Sequence, residues 1–346
     1  MKYRSFVFLI LISLVLLGGA TISVIEEPQF SLDDRKPVIA FPLLYAEPSA
    51  TNKVIFVTSA GRFIFQRNTR SIWVSKDKYD YPVSPKLIGR ITTQLADMKL
   101  VEKKTRLVKR FRKIGVESID NIDSNSAQIR LETSDGRILA ETILGVQIKH
   151  KTGASNKGTF IREVQGVQSW LASGSVDLPY NPIDWLDKRI VNLEPEDIQK
   201  VELIASNGST YIIGRQEVKS KFFLLTPVGP IVVKKEIEQS LTSSMYKLTF
   251  DDVIATKSLE QVKNEIKVII STFSGIKIDA TLTQKDSLAF IKLTADVLPG
   301  SGDYASKLRA EILNQRFHGW KYTISKWKAK MFLQPFDILT AKANVK

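Results

Sequence analysis

A chain of 346 residues, 43% hydrophobic and 25% charged, can bury two ordinary cores and is too apolar to remain disordered. Fifty Lys and Arg against thirty-six Asp and Glu leave a net charge of +14, which favours anionic partners: lipid head groups, acidic glycans, nucleic acid or acidic proteins. The absence of Cys excludes disulfides, thiol catalysis and Cys-ligated metal, and two histidines, His150 and His318, are too few for a His-built metal site.

Residues 5–25, SFVFLILISLVLLGGATISVI, carry no charged side chain. As a helix rising about 1.5 Å per residue they span roughly 30 Å, the hydrocarbon thickness of a bilayer. Lys2 and Arg4 precede them; Glu26, Glu27, Asp33 and Asp34 follow. The positive-inside rule then keeps the N-terminus cytoplasmic and exports everything after residue 25. The competing reading is a cleaved signal peptide, with Phe6 to Leu17 as its apolar core and Gly18-Gly19-Ala20 at the cleavage site. Both readings put the bulk outside the cytoplasm, in the periplasm of a bacterium, and disfavour nucleic acid as a partner.

Residues 26–52 are punctuated by Pro28, Pro37, Pro42 and Pro48 and read as an extended tether lying on the first domain. Strand signals follow at 54–57, after a Ser59-Ala60-Gly61 turn at 62–65, and at 71–74. Ser84-Pro85 then opens a helix, with Ser as N-cap and Pro at the first helical position. Its apolar residues Leu87, Ile91, Leu95 and Met98 are spaced 4, 4 and 3, one face of an amphipathic helix.

The same order recurs after the middle of the chain. Strand signals at 201–204, 211–213 and 221–225 precede a helix with Ile237, Leu241, Met245 and Leu248, again spaced 4, 4 and 3. The offset between halves is 147 at the first strand and 150 at the helix. A hairpin over 128–144 with a Ser134-Asp135-Gly136 turn matches one over 265–282 with Ser274-Gly275. The chain therefore reads as α+β: an N-terminal transmembrane helix, then two diverged tandem repeats, each an antiparallel sheet with a helix packed on one face. The boundaries are an anchor or signal segment at 1–25, a tether at 26–52, a first repeat at 53–178, a connecting segment at 179–198 and a second repeat at 199–346. In the connecting segment Asn181 caps a short helix that starts at Pro182, and Trp185 reads as the residue that packs it down. Farther on, 318–327 alternates as a half-buried strand, and Lys328 to Leu339 suggests a closing helix interrupted at Pro335.

Catalytic templates fail on geometry. Ser75-x-x-Lys78, Ser134-Asp135-Gly136 and Lys151-Thr152-Gly153 mimic the motif order of penicillin-binding enzymes. That chemistry needs the Ser at a helix start, whereas Ser75 ends a strand, and Gly136 has no side chain to act. Gly153 to Thr159 is glycine-rich and basic but lacks P-loop spacing and reads as a mobile hairpin tip. Asp33-Asp34 and Asp251-Asp252 lack the further ligands of a calcium loop. Asp184 and Asp187, three residues apart, invite an acid/base reading that the adjacent Lys188 and Arg189 weaken.

The sharpest charge feature is Lys99 to Lys113, where Lys103, Lys104, Arg106, Lys109, Arg110, Arg112 and Lys113 stand against the single Glu102. Leu100, Val101, Leu107, Val108 and Phe111 alternate with them, making an amphipathic basic edge, strand or helix. It reads as a contact for anionic lipid or an acidic partner, or as a solvated edge kept from aggregating by its charge.

Several short patterns resemble one family. They are Phe41-Pro42, the Trp73 strand, Tyr81-Pro82-Val83, Leu95 to Glu102, Ile143-Leu144-Gly145, Thr159 to Arg162, Val167 to Leu171, and Asp184-Trp185-Leu186-Asp187-Lys188-Arg189-Ile190. Over roughly residues 40–205, and more loosely to the C-terminus, the chain is similar to the bacterial family called domain of unknown function 4340. The resemblance carries no catalytic residues and no cofactor. It implies an N-terminal membrane segment and, by association with members encoded beside gliding-motility-type ABC transporters, an envelope partner. The expectation is a non-enzymatic accessory or interaction protein of the bacterial inner membrane, single-pass, with its bulk periplasmic and no cofactor. A periplasmic binding module for an anionic glycan or lipid is the alternative, and a hydrolase a distant third.

Overall fold

A computed structural model describes residues 38–121, 123–149, 157–227, 231–256, 265–285, 288–301 and 303–332. The apolar stretch at 5–25, the Lys151 loop and the end of the closing helix lie outside these residues. Among the described residues no helix is long and apolar enough to cross a membrane. The chain is mixed helix and strand, and its strands form two large antiparallel sheets.

The chain enters the first sheet as β1 (Val38–Ile39). Within the described part of the stretch read as an extended tether, residues 42–50 are not extended. Pro42 and Pro48 start α1 (Pro42–Ala46) and a 3-10 turn, because a missing N–H costs nothing at a first helical position. Leu44 is fully buried, so this part of the tether is built into the body. Next come β2 (Lys53–Thr58), β3 (Gly61–Arg67), β4 (Trp73–Ser75) and β5 (Tyr81–Pro82). The expected helix is α2 (Pro85–Ala96), where the Ser84 hydroxyl accepts from the Leu87 N–H at 3.3 Å. Its buried face is Leu87, Ile88, Ile91, Leu95 and Ala96. After β6 (Lys99–Lys103) and α3 (Val108–Ile114), a meander runs through β7 (Ala127–Glu132), β8 (Ile138–Lys149), β9 (Lys157–Arg162) and β10 (Ser169–Ser173). The sheet order is β1-β6-β10-β9-β8-β7-β2-β3-β4-β5.

The connecting segment is a 3-10 turn at Pro182–Trp185 followed by β11 (Arg189–Val191). Asn181 accepts from the Ile183 N–H at 3.1 Å, as its capping role predicts. The second sheet then follows with β12 (Ile198–Ile204), β13 (Thr210–Gly214), β14 (Phe223–Thr226) and β15 (Ile231–Val232). α4 (Lys235–Ser243) carries the buried Ile237 and Leu241, and β16 (Leu248–Thr249) pairs with β11. β17 (Asp252–Ala255), β18 (Glu265–Thr272), β19 (Ile276–Lys285), β20 (Leu288–Val297), α5 (Tyr304–Phe317) and β21 (Trp320–Ile324) complete it. Its order is β15-β14-β13-β12-β18-β19-β20-β21-β17. Counted from the strand that opens each half and leaving out β1 and β16, both sheets run fourth, third, second, first, sixth, seventh, eighth, ninth, fifth.

The sequence reading contains neither α5 nor β20. α5 buries Ser306, Ala310 and Phe317, a face too small and polar to announce itself by apolar spacing. Its Asn314 amide donates to the Ala295 carbonyl at 2.7 Å and accepts from the Ala295 N–H at 2.8 Å. β21 pairs with β20 only at residues 289–291, so this side chain satisfies β20 backbone that the shorter neighbour leaves bare.

One apolar core runs without a break from Phe41 through both sheets to Phe332. Trp185 is fully buried in it, stacked on Phe65 at 4.4 Å and tilted against Phe56 at 5.2 Å, and its indole N–H donates to the Pro179 carbonyl at 2.9 Å. The connecting segment is thus stapled to the first sheet by its aromatic residue and to the second-half chain by β11. Trp185→Ala is expected to cost about 3 to 5 kcal/mol of unfolding free energy in urea titration, against less than about 0.5 kcal/mol for Tyr180→Ala at a solvent-exposed site.

Candidate interaction surface

The basic segment is both strand and helix. Through β6 it pairs with β1 on one side and β10 on the other. Ser169, with no exposed surface, then fixes the exit: its carbonyl accepts from the Lys104 N–H at 2.8 Å and its hydroxyl donates to the Thr105 carbonyl at 2.7 Å. The Thr105 hydroxyl in turn accepts from the Leu107 N–H at 3.1 Å, in the turn that leads into α3. Gly115 ends the helix in the left-handed region, φ +69°, and donates to the Arg112 carbonyl. The helix end lies so close to β8 that a Cβ on Gly145 would sit 2.2 Å from the Ile114 carbonyl oxygen.

Phe111 is the one fully buried residue of α3, in a small cluster with Val116 and Ile143. Over its ring, 4.8 Å from the centroid, lies the Arg162 guanidinium. Arg162 is buried and donates to four carbonyls: Val116 at 2.8 Å, Glu163 at 3.1 Å, Val164 at 3.1 Å and Gly166 at 2.7 Å. Burial holds its pKa below the usual arginine value. The helix is therefore pinned from beneath by one ring and one guanidinium.

The seven basic residues singled out by the sequence lie at the end of β6, in the turn that leaves it and on α3. Lys103 lies over the Trp170 ring at 5.5 Å, and Lys104 pairs with Glu102 at 2.6 Å. Arg106, Lys109, Arg110, Arg112 and Lys113 are exposed. Among them stand exposed apolar side chains, Val101, Leu107 and Val108, the last 71% accessible. Val146 touches the Gly115 end, and Val167 precedes Gln168, whose amide reaches the Lys104 carbonyl at 3.4 Å; both valines are exposed. Arg112 also lines a cleft of about 840 Å³ together with Ser124, Ser126, Asp177 and Tyr180. Mixed cationic and aliphatic exposure of this kind suits a surface that is negative on top and apolar beneath.

The other sequence candidates dissolve into structure. Asp184 pairs with Lys188, while Asp187 pairs with Arg316 at 2.9 Å, so the two carboxylates serve separate ion pairs. Ser75 is buried at the end of β4, and Lys78 goes instead to Asp252 at 2.8 Å, joining the two halves. Beside that bridge Tyr81 and Tyr322 meet, their hydroxyls donating to the Asp187 carbonyl at 3.2 Å and the Arg316 carbonyl at 2.8 Å. Burial pushes both hydroxyls well above the ordinary phenol range, which leaves neither as an acid or base near neutrality. Among the described residues no group of three or more His, Cys, Asp or Glu converges as a metal site.

A second exposed feature escaped the sequence reading. On α5, Tyr304, Leu308 and Ile312 point outward at 82%, 43% and 56% exposure. Their spacing of four was visible, but apolar residues at that spacing ordinarily mark a buried face. A further cleft of about 950 Å³ lies between the β13 end and the Leu298-Pro299 loop, lined by Lys200, Arg215 and Glu217. Arg215 is already committed there, donating to the Ile198, Pro195 and Glu196 carbonyls.

The fold and its surface thus define an α+β body with two antiparallel sheets and an exposed basic edge. The chain belongs to the family described as Domain of unknown function (DUF4340), whose model matches residues 73–293. That match starts later and runs farther into the second sheet than the short sequence patterns do. No curated protein and no solved structure matches the chain.

Because the Arg162 guanidinium lies over the Phe111 ring that seats α3, Arg162→Met is expected to strand four carbonyls and cost at least about 2 kcal/mol. Hydrogen exchange should then accelerate first at residues 108–116, ahead of the sheet, in amide-exchange mass spectrometry.

Proposed function

We propose that this chain is a membrane-anchored, extracytoplasmic accessory protein that works by docking rather than by catalysis, at the bacterial inner membrane and against an envelope or transporter component. The observation that carries the reading is the charge-free run at 5–25, basic before and acidic after, followed only twelve residues later by the folded body at Val38. The exposed basic and apolar edge supports docking, since it presents binding chemistry without a nucleophile and base brought together. The association of similar proteins with gliding-motility-type ABC transporters points to such a component as partner.

In the same reading the body is a diverged tandem duplication. What supports it is the strand succession shared by the two sheets, with α2 and α4 following the fourth strand in each half. The 147-residue offset at β2 and β12 points the same way.

The alternative, a binding module for an anionic ligand, is favoured by one observation, the cleft that Arg112 lines with Ser124, Ser126 and Tyr180. Two measurements decide. A reporter active only in the periplasm, fused after residue 30, is expected to be active, and a cytoplasm-only reporter at that point silent; the reverse pattern sinks the anchored topology. Crosslinking and pull-down from native membranes should recover a stoichiometric envelope protein for a docking protein, whereas a binding module yields a bound small anion and no such partner.

A further inference from the structure

We infer that the edge formed by β6 and α3 lies on an anionic membrane surface, giving the body a second membrane contact beside its anchor. The inference rests on the anchored reading above and adds an orientation to it. Three observations carry it.

The first is where the chain enters. β1 pairs antiparallel with β6, Val38 opposite Leu100 and Ile39 opposite Lys99. The N-terminal end of β1 is therefore the end that faces Lys103. Three further residues of strand cover about 10 Å, so the basic segment begins immediately beside the point of entry.

The second is the length of chain available. Only residues 26–37 separate the apolar run from β1, twelve residues that reach at most about 40 Å when fully extended. The body cannot travel far from the bilayer, and the part of it nearest the entry is the basic edge.

The third is chemical complementarity. Arg106, Lys109, Arg110, Arg112 and Lys113 offer five exposed cations in the same segment as the exposed aliphatic side chains of Val101, Leu107 and Val108. Cations paired with lipid phosphate would let those side chains enter the head-group boundary, as amphipathic surface helices do. α3 is too short to bind by itself, and it does not need to, because the anchor supplies the effective concentration. A phosphate-rich surface also explains why this edge tolerates exposed apolar residues that would favour self-association in water.

Each cation near an anionic head group multiplies the docked-to-free ratio by about five. The natural absence of Cys allows a single reporter thiol to be placed at will. Val108→Cys and, as a remote exposed site, Tyr304→Cys are labelled with an environment-sensitive fluorophore in the full chain. The chain is reconstituted in vesicles of phosphatidylcholine with or without phosphatidylglycerol, with doxyl lipid as quencher. The expected result is a blue-shifted, quenched label at 108 in phosphatidylglycerol vesicles, released by high salt and absent in pure phosphatidylcholine. The label at 304 should stay in water throughout. Reversing Lys109, Arg110, Arg112 and Lys113 to Glu should free the 108 label while the thermal midpoint of the exposed-site variant stays that of the parent. A chain that floats with the vesicles but keeps its 108 label in water overturns the inference, as does quenching at 304 instead. A chain that fails to float with either vesicle type overturns the anchored reading on which the inference stands.

Discussion

The burial of Trp185 between the connecting segment and the first sheet is the contact on which the arrangement of the chain depends. The indole fills the space over Phe56 and Phe65 and finds its polar partner six residues back, at the Pro179 carbonyl. With that ring in place, the backbone around it is fixed: Ser84 donates to the Trp185 carbonyl, and Asp187 donates to the Pro82 carbonyl. The segment then has a defined direction, and β11 delivers it to β16 in the second half. Without the ring, two sheets with apolar faces would be joined by an exposed and mobile strap.

The junction that results is closed by aromatic packing and two ion pairs. Tyr81 meets Phe250 at 5.3 Å and Trp320 at 5.2 Å, both edge-on, while Phe250 and Tyr322 stack at 5.4 Å. Lys78–Asp252 and Arg316–Asp187 lie at the margin and are partly solvated, worth at most about 1 kcal/mol each. They orient the halves more than they hold them. The work is done by the apolar core, which is continuous across both halves.

Much of this was legible in the sequence wherever local chemistry decides local structure. The Ser84-Pro85 start, the spacing of Leu87, Ile91 and Leu95, and the Asn181-Pro182 cap all carry their own geometry. The hairpins at 128–144 and 265–282 announce themselves through alternation and a glycine turn. Strand neighbours distant in sequence were not legible, because β2 beside β7 and β12 beside β18 depend on which apolar faces must share a core. α5 was hidden for a different reason: its small residues face inward and its large ones outward, inverting the usual signal. The basic edge was legible as charge but not as shape. Whether 99–113 would be strand or helix is settled by Ser169 and Arg162, more than fifty residues away in sequence from most of it.

The two residue pairs of β1 also have a mechanical meaning. Any pull arriving from the N-terminal side is applied at Val38, at the sheet's outermost position, where only Val38 and Ile39 are paired with β6. Such a short strand peels at low load. Behind it stand Phe41, the residue that precedes α1, and Leu44 within α1, both seated in the core. The first few ångströms of extension are therefore absorbed by a detachable strip, and the force reaches the sheet only after a firm stop. β1 is thus the strip that a load from the N-terminal side meets first, ahead of the core behind it.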